Sequence, residues 1–290
     1  MKKIWAPLLI LCAAPAASQT DPHRTVDPTF LHRFVPAVKP VTVPISSPTA
    51  HYQALFGEGD ANAKLLRAMT RFGELTVDPN GKSSLVKYPR EEHMFVILDG
   101  DGTVAYDGKT FPVKKDDFLY LPPTVEFGLN GGAKGVKAAF MGFKIPESMP
   151  LTIPDTLKIA NINDVPLVNV GGHPLDTLYR LLMGDTKSTR DKLSTGHVMI
   201  SLFVMEFAPG ATNFPHHHET QEEIYLLLDG KGQMVAGSGI DGIEGKYPAR
   251  PGDAYYYRAN TTVGFYNDKA PSPKPARILA VRSNMPPPKQ

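Results

Sequence analysis

The chain has 290 residues, of which 42% are hydrophobic and 21% are charged, a balance typical of a folded globular protein with one large or two ordinary domains. A single cysteine excludes a disulfide-stapled miniprotein, and the composition excludes a multi-span membrane protein. The formal charge of +2 indicates neither nucleic acid nor an anionic membrane as a partner.

The N-terminus has the pattern of a secretory signal peptide. Lys2 and Lys3 precede an apolar run from Ile4 to Ala14, and small residues follow up to Ser18. The run is shorter than the roughly 20 residues that a membrane-spanning helix needs, so we predict a cleaved signal at residues 1–18 and export to the periplasm or beyond. Cleavage would remove the only cysteine, Cys12, so any metal in the mature protein must be held by nitrogen and oxygen.

Residues 19–50 follow with a proline every few positions, which disfavours a helix. We therefore predict a proline-rich extended arm that lies over a domain. The C-terminal end is also rich in proline, and residues 284–290 are expected to form a loose tail.

Two segments in between look like one unit used twice. HMFVILDGDG (His93–Gly102) and EIYLLLDGKG (Glu223–Gly232) are separated by 130 residues, and each is a short apolar strand closed by a D-G turn. This repeat predicts an all-β protein of two tandem barrels, at residues 51–146 and 197–283, joined by a connector at residues 147–196. One large sandwich built from two halves is the alternative. Within the connector, Leu175–Met183 fits a helical turn or a strand.

The second copy carries a candidate metal site. His216 and His218 would share one face of an extended segment while His217 points away, because alternate side chains share a face. A returning strand with Glu223 on its inner face would bring the carboxylate opposite these imidazoles. Two imidazoles and one carboxylate suit a divalent transition metal, namely iron, manganese, nickel or zinc.

Two features of this region also have ordinary explanations. The histidine run fits a solvated loop that binds metal adventitiously, with Glu222 and Glu223 as surface charges. Tyr255 and Tyr257 are candidate catalytic residues because a phenol near a metal can act as an acid, although tyrosines in a strand also serve packing.

These residues carry a family resemblance. Gly210, His216, His218, Glu223 and Gly230 fall on G-x5-H-x-H-x4-E-x6-G, the first signature of the cupin superfamily, and residues 75–281 resemble a bicupin. The resemblance implies double-stranded β-helix (jelly-roll) barrels with His216, His218 and Glu223 as metal ligands. The histidine of the second cupin signature is replaced by Val263, which leaves either a three-ligand site with open positions or a site that no longer holds metal.

The first copy departs further from that pattern. Val86, Tyr88 and His93 stand where the second copy has His216, His218 and Glu223, and Phe127 stands for Val263. We therefore expect the N-terminal barrel to be a structural or substrate-shaping half, with His93 as a hydrogen-bonded histidine in the barrel wall.

The layout is loosely similar to that of ureidoglycine aminohydrolase-type bicupins, which also have a degenerate first barrel. The metal residues of that family differ from those here, so its substrate is not implied. We expect an exported metal-dependent enzyme acting on a small polar substrate, with oxygenase-type or hydrolase/lyase chemistry. The alternatives are a sugar- or sugar-acid-binding bicupin without catalysis and a structural bicupin, and the proline-rich arm is compatible with a homo-oligomer.

Overall fold

The computed structural model describes residues 29–237, 244–269 and 275–284. The signal peptide expected at residues 1–18, the first part of the arm and the tail beyond Asn284 lie outside these described residues. Within them, regular structure is almost entirely β-strand, apart from short 3-10 turns at Val35–Ala37, Ala63–Leu65 and Ile162–Asp164. The all-β prediction is therefore confirmed. No helix in the described ranges is long and apolar enough to cross a membrane.

The N-terminal barrel is built on one sheet, in the order β2-β3-β7-β4-β6-β8 with β5 paired to β4. Two long strands, β4 and β7, pair along most of their length and curve the sheet around its core. The strands are β2 (Ala50–Gly57), β3 (Met69–Val77), β4 (Glu91–Tyr106), β5 (Lys109–Lys114), β6 (Asp117–Leu121), β7 (Phe127–Lys144) and β8 (Lys158–Asn161).

The C-terminal barrel repeats this plan with its long strands divided. One sheet runs β1-β16-β13-β18-β12-β10-β11 with β9 on β10, and a second runs β15-β14-β17. The strands are β1 (Phe30–Phe34), β9 (Leu167–Val168), β10 (Thr177–Asp185), β11 (Leu193–Gly196), β12 (Met199–Phe207), β13 (Gln221–Asp229), β14 (Gly232–Gly237), β15 (Glu244–Ala249), β16 (Asp253–Tyr257), β17 (Thr262–Asn267) and β18 (Ala276–Asn284).

The D-G turns that mark the repeat need glycine. Gly100 and Gly230 have φ angles of +76° and +86°. A Cβ at these positions would lie 2.2 Å from the Gly135 carbonyl oxygen and 2.5 Å from the Ala276 side chain, respectively. Both the left-handed backbone and the close approach therefore require the residue that the sequence supplies.

The segment that precedes each barrel in the sequence forms a strand in the sheet of the other barrel. β1, from the proline-rich arm, pairs with β16 of the C-terminal barrel, whereas β8, from the expected connector, pairs with β6 of the N-terminal barrel. The part of the connector left open by the sequence is a strand, because Thr177–Asp185 forms β10 and pairs with β12. Residues 147–196 are thus built into both sheets rather than forming a free linker.

Apolar side chains form three clusters. One fills the N-terminal barrel around Phe95 and Phe140, and one fills the C-terminal barrel around Tyr225 and Phe265. The third contains residues of both barrels and joins them; it includes Phe56, Met94, Tyr120, Ile224, Leu226 and Tyr256. Alternation along β13 therefore sends Ile224 and Leu226 to the interface between the barrels, and Glu223, Tyr225 and Leu227 into the barrel.

Two buried carboxylates join the barrels reciprocally. Glu92 accepts hydrogen bonds from the backbone N–H groups of His197, Val198 and Met199 at 2.7–2.8 Å. Glu222, 130 residues later, accepts from the backbone N–H groups of residues 67–69 at 2.7–3.0 Å. The suggestion that Glu222 is a surface charge is wrong, because this side chain is fully buried and held by donors of the other barrel.

Each carboxylate also accepts a tyrosine hydroxyl, from Tyr120 to Glu92 at 3.0 Å and from Tyr256 to Glu222 at 2.9 Å. Burial, followed by the adjacent carboxylate, raises the pKa of Tyr120 and of Tyr256 well above the usual value, so both phenols remain donors. Charge-assisted hydrogen bonds of this kind offset the cost of burying the carboxylates.

We expect Glu92→Ala to destabilise the protein by about 3 kcal/mol or more, because it leaves three buried backbone N–H groups without an acceptor. At about 2–4 °C per kcal/mol, the thermal midpoint should fall by about 10 °C in a calorimetric scan. Glu126→Ala, at an exposed position of the same barrel, is the control and should change the midpoint by less than about 2 °C. Equal midpoints for the two variants would show that Glu92 does not stabilise the contact between the barrels.

Candidate metal centre

A pocket of about 80 Å³ lies inside the C-terminal barrel. Its lining comes from strands that are distant in the sequence and from the loop between β12 and β13. The residues that bear on its chemistry are Tyr179 on β10, His216 and His218 on the loop, Glu223 and Tyr225 on β13, and Arg282 on β18.

The structure brings the three predicted ligands together. One ligand atom each from His216, His218 and Glu223 lies within 4.8 Å of the others. His218 Nε2 is 3.4 Å from Glu223 Oε2, and this buried oxygen has no hydrogen-bond partner among the described residues. An unsatisfied carboxylate oxygen beside two imidazoles is a donor set that fits a divalent transition metal.

Backbone pairing holds His216 in place. It forms an isolated bridge with Val263, with N···O distances of 3.0 and 2.8 Å, so the histidines lie on a paired loop rather than within a regular strand. His216 Nδ1 lies 2.8 Å from the Phe214 carbonyl oxygen, which assigns the proton to Nδ1 and leaves the Nε2 lone pair available. Burial lowers the pKa of His216, which favours the neutral imidazole that a metal requires.

His217 is exposed, as alternation predicts, and is not part of the pocket lining. Val263, in the position of the missing histidine, is buried in the apolar cluster of the barrel and supplies no ligand. A metal held by the triad would therefore have coordination positions that no side chain among the described residues fills.

The sequence analysis missed His173 at this pocket. This residue lies between β9 and β10, and its ring centroid is 5.5 Å from that of His216. Its Nδ1 is 3.1 Å from the Asn213 carbonyl oxygen, which leaves Nε2 as the free nitrogen. No local motif marks His173, because it comes from the connector and reaches the pocket only through the tertiary fold.

Tyr255 and Tyr257 do not line the pocket. Both are buried in the apolar cluster of the C-terminal barrel, where Tyr255 stacks on His32 with ring centroids 4.5 Å apart. Tyr257 packs edge-on against Tyr225. The phenols that line the pocket are instead those of Tyr179 and Tyr225. Tyr257 pairs with Glu223 in the register of β13 and β16, and the catalytic role expected of Tyr255 and Tyr257 stays a prediction.

In the N-terminal barrel an arginine lies at the corresponding place. Arg71 Nη1 is 2.6 Å from the Tyr88 hydroxyl and 2.8 Å from Glu58 Oε2, and Nη2 is 2.8 Å from Glu91 Oε2. Tyr88 occupies the position of His218, so the guanidinium lies where the second barrel assembles its metal ligands. Among the described residues, His93 does not form a metal site with these partners.

His93 is fully buried, with its ring centroid 4.4 Å from that of Tyr88 and 5.3 Å from that of Phe140. Its Nε2 lies 3.2 Å from Glu91 Oε2, but neither ring nitrogen forms a well-aligned hydrogen bond within the described structure. Burial lowers the pKa of His93 to about 4. The expected position in the barrel wall is observed, with a 3.2 Å contact to Glu91 that is not aligned as a hydrogen bond.

The depressed pKa of His93 predicts acid sensitivity. Since the unfolded chain protonates this histidine near pH 6.5 and the folded chain near pH 4, stability should be fully present above pH 6.5 and should fall by about 3 kcal/mol on acidification to pH 4. His93→Phe should lose less stability over this interval in urea unfolding. His217→Phe, the same change at an exposed site, should retain the wild-type slope. Identical pH profiles for wild type and His93→Phe would contradict the assignment.

Comparison with known structures shows that the fold is shared by several proteins. Ylba from E. coli has a TM-score of 0.65 at 18% identity, covering 91% of this chain and 95% of its own. A putative glyoxylate-induced protein from Pseudomonas aeruginosa gives 0.68 at 13%, covering 94% and 95%. Oxalate decarboxylase from Lactobacillus farciminis, in a formate complex, gives 0.65 at 11%, covering 91% and 88%.

Sequence comparison gives a matching family. A 50-residue segment is 38% identical to an uncharacterized protein of Methanocaldococcus jannaschii, but the match spans only 17% of this chain and 40% of that relative. The family model of the cupin domain matches residues 73–140 and 203–282, which together are just over half of the chain. The resemblance seen in the sequence is thereby confirmed: the chain belongs to the cupin family and is a bicupin, with one cupin domain in each barrel.

Proposed function

We propose that this bicupin is a metal-dependent enzyme that acts on a small polar molecule in its C-terminal barrel. The observation that carries the proposal is the convergence of His216, His218 and Glu223 within 4.8 Å at a pocket, with Glu223 Oε2 lacking a hydrogen-bond partner in the described structure. Iron, manganese, nickel and zinc all suit this donor set.

Structural neighbours support a metal at this kind of site. The oxalate decarboxylase of Bacillus subtilis, which matches with a TM-score of 0.62 at 13% identity, has Mn(II) centres. A divalent metal with open positions would supply Lewis-acid activation of a bound oxygen or water. The absence of a ligand at Val263 leaves room for that chemistry.

Other pocket residues are placed to handle protons. The Tyr225 hydroxyl accepts a hydrogen bond from the Asn213 side chain at 3.1 Å, so its own proton is free to be donated. Burial, followed by the Glu223 charge, raises the pKa of Tyr225 and of Tyr179, which keeps both phenols protonated as donors. His173, with its Nδ1 engaged by a carbonyl, offers Nε2 as a proton acceptor.

The size of the pocket limits the substrate. At about 80 Å³ the pocket is small. The proposed substrate is therefore a small polar molecule, processed by oxygenation, hydrolysis or lysis. The second candidate is a bicupin that binds a small molecule such as a sugar acid without turning it over, because Val263 replaces the fourth ligand of the cupin pattern and supplies no metal ligand.

Metal analysis tests the proposal. Mature protein purified without a histidine tag should hold near-stoichiometric metal by mass spectrometry, and His216→Ala and Glu223→Gln should each lower the content at least tenfold. His217→Ala changes the neighbouring exposed imidazole and should retain the metal of the wild type.

The outcomes separate the candidates. Retained metal in Glu223→Gln would overturn the assigned ligand set. If the reconstituted wild type holds no metal, the metal-dependent enzyme is ruled out and the binding protein is the remaining candidate. With metal bound, oxygen consumption by the iron form would indicate an oxygenase, and oxygen-independent turnover by the manganese or zinc form a hydrolase or lyase.

We also propose that the protein is exported, on the strength of the basic, apolar and small-residue pattern of residues 1–18. Fractionation of expressing bacteria should place the protein outside the cytoplasm, and intact-mass measurement should show a chain shortened by cleavage within residues 14–18. Exchanging Lys2 and Lys3 for glutamate should retain the uncleaved chain in the cytoplasm. A full-length, cytoplasmic wild type would contradict the proposal.

A further inference from the structure

In each barrel one strand of an equivalent pair carries an inward arginine, and the two barrels use opposite strands of that pair. In the N-terminal barrel Arg71 on β3 faces Gly142 on β7. In the C-terminal barrel the equivalent pair is Ser201 on β12 and Arg282 on β18. The arginine is thus on the first strand of the pair in one barrel and on the second strand in the other, opposite a small residue in each case. Both barrel interiors therefore contain a guanidinium.

The first guanidinium is engaged by protein side chains at both of its Nη groups. Arg71 is 3% exposed, and its Nη1 and Nη2 lie within 2.8 Å of two carboxylates and one phenol. Its Nε is buried without a hydrogen-bond partner in the described residues. Two carboxylates of the same barrel thus balance the charge of Arg71.

The second guanidinium is only loosely held. Arg282 Nε is 3.6 Å from Glu223 Oε1, a separation too long for a hydrogen bond, and this buried nitrogen has no hydrogen-bond partner in the described residues. Ser201 Oγ, another lining atom of the same pocket, is also buried without a partner. Two adjacent donors are thus unsatisfied at the wall of the pocket.

The remaining contact of Arg282 involves a predicted ligand atom. Its Nη1 lies 3.2 Å from His218 Nε2. Coordination by His218 would occupy that lone pair and leave the guanidinium without its acceptor. An arginine has five N–H donors in a planar fork, which matches a carboxylate bidentately.

We propose that Arg282, assisted by Ser201, selects a substrate that bears a carboxylate. This inference rests on the proposed function, since the metal would neutralise Glu223 and leave the pocket with an excess of positive charge. Arg190 also lines the pocket, but its Nε lies 3.6 Å from Asp191 Oδ2, so its charge is already paired and Arg282 carries the inference. A small carboxylic acid bound at the triad would place its anionic end on the Arg282 fork.

Calorimetric titration of the manganese-loaded protein tests the inference with two matched pairs, propionate against propionamide and malonate against malonamide. Wild type should bind each carboxylate at least tenfold more tightly than its amide. Arg282→Gln should retain its manganese and lose this preference, while Arg282→Lys, which keeps the charge but not the fork, should show an intermediate preference.

Arg277→Gln is the matched control, because Arg277 lies on the same strand with similar exposure but outside the pocket. It should keep the wild-type preference. An Arg282→Gln variant that holds manganese and still prefers carboxylates, or a wild type without a preference, would overturn the inference.

Failure of the proposed function gives a different result. If wild type does not load manganese, the same titrations on metal-free protein decide the role of Arg282. A carboxylate preference that disappears in Arg282→Gln would support the inference without a metal, and its absence would overturn both.

Discussion

The arrangement of the two barrels depends on two buried carboxylates, those of Glu92 and Glu222. Each carboxylate points out of its own barrel and accepts hydrogen bonds from three backbone N–H groups of the other barrel. Because successive residues of a strand point to opposite sides, a Glu222 fixed on the far barrel also fixes the inward direction of Glu223. The register that joins the barrels is therefore the register that aims a ligand into the pocket.

Duplication of the fold has given two solutions to one electrostatic problem. An inward polar group in a barrel must find a partner, because an unpaired buried charge costs several kcal/mol. In the first copy Arg71 forms ion pairs with Glu58 and Glu91. In the second copy the contacts of Arg282 with Glu223 and of Glu223 with His218 are longer, at 3.6 and 3.4 Å, and Glu223 Oε2 and Arg282 Nε have no hydrogen-bond partner in the described residues. The two barrels thus differ in how closely their inward charges are paired by the protein itself.

Local sequence information was sufficient for the barrels, the D-G turns and the inward direction of His216, His218 and Glu223, because each depends on spacing within a few residues. Arg282 and His173 reach the pocket from distant parts of the chain, so no short motif signals them. Alternation correctly separates Tyr256 from its two neighbours, but it gives only the side of the sheet. It does not say which inward side chains reach the pocket, because Tyr255 and Tyr257 pair with the lining residues Tyr225 and Glu223 and are still packed into the apolar cluster.

The exchange of β1 and β8 has a consequence for folding. The side chains of His32 on β1 and Asp253 on β16 lie 2.9 Å apart and are separated by 221 residues in the sequence. As synthesis proceeds from the N-terminus, β1 has no strand to pair with until almost the whole chain has emerged, and long-range β pairing forms slowly. Until β1 pairs with β16, that edge of β16 stays open to other strands. Pairing of β1 thus closes a contact between segments that lie far apart in the sequence, and an unpaired β16 edge exposes the chain to misassembly until that contact forms.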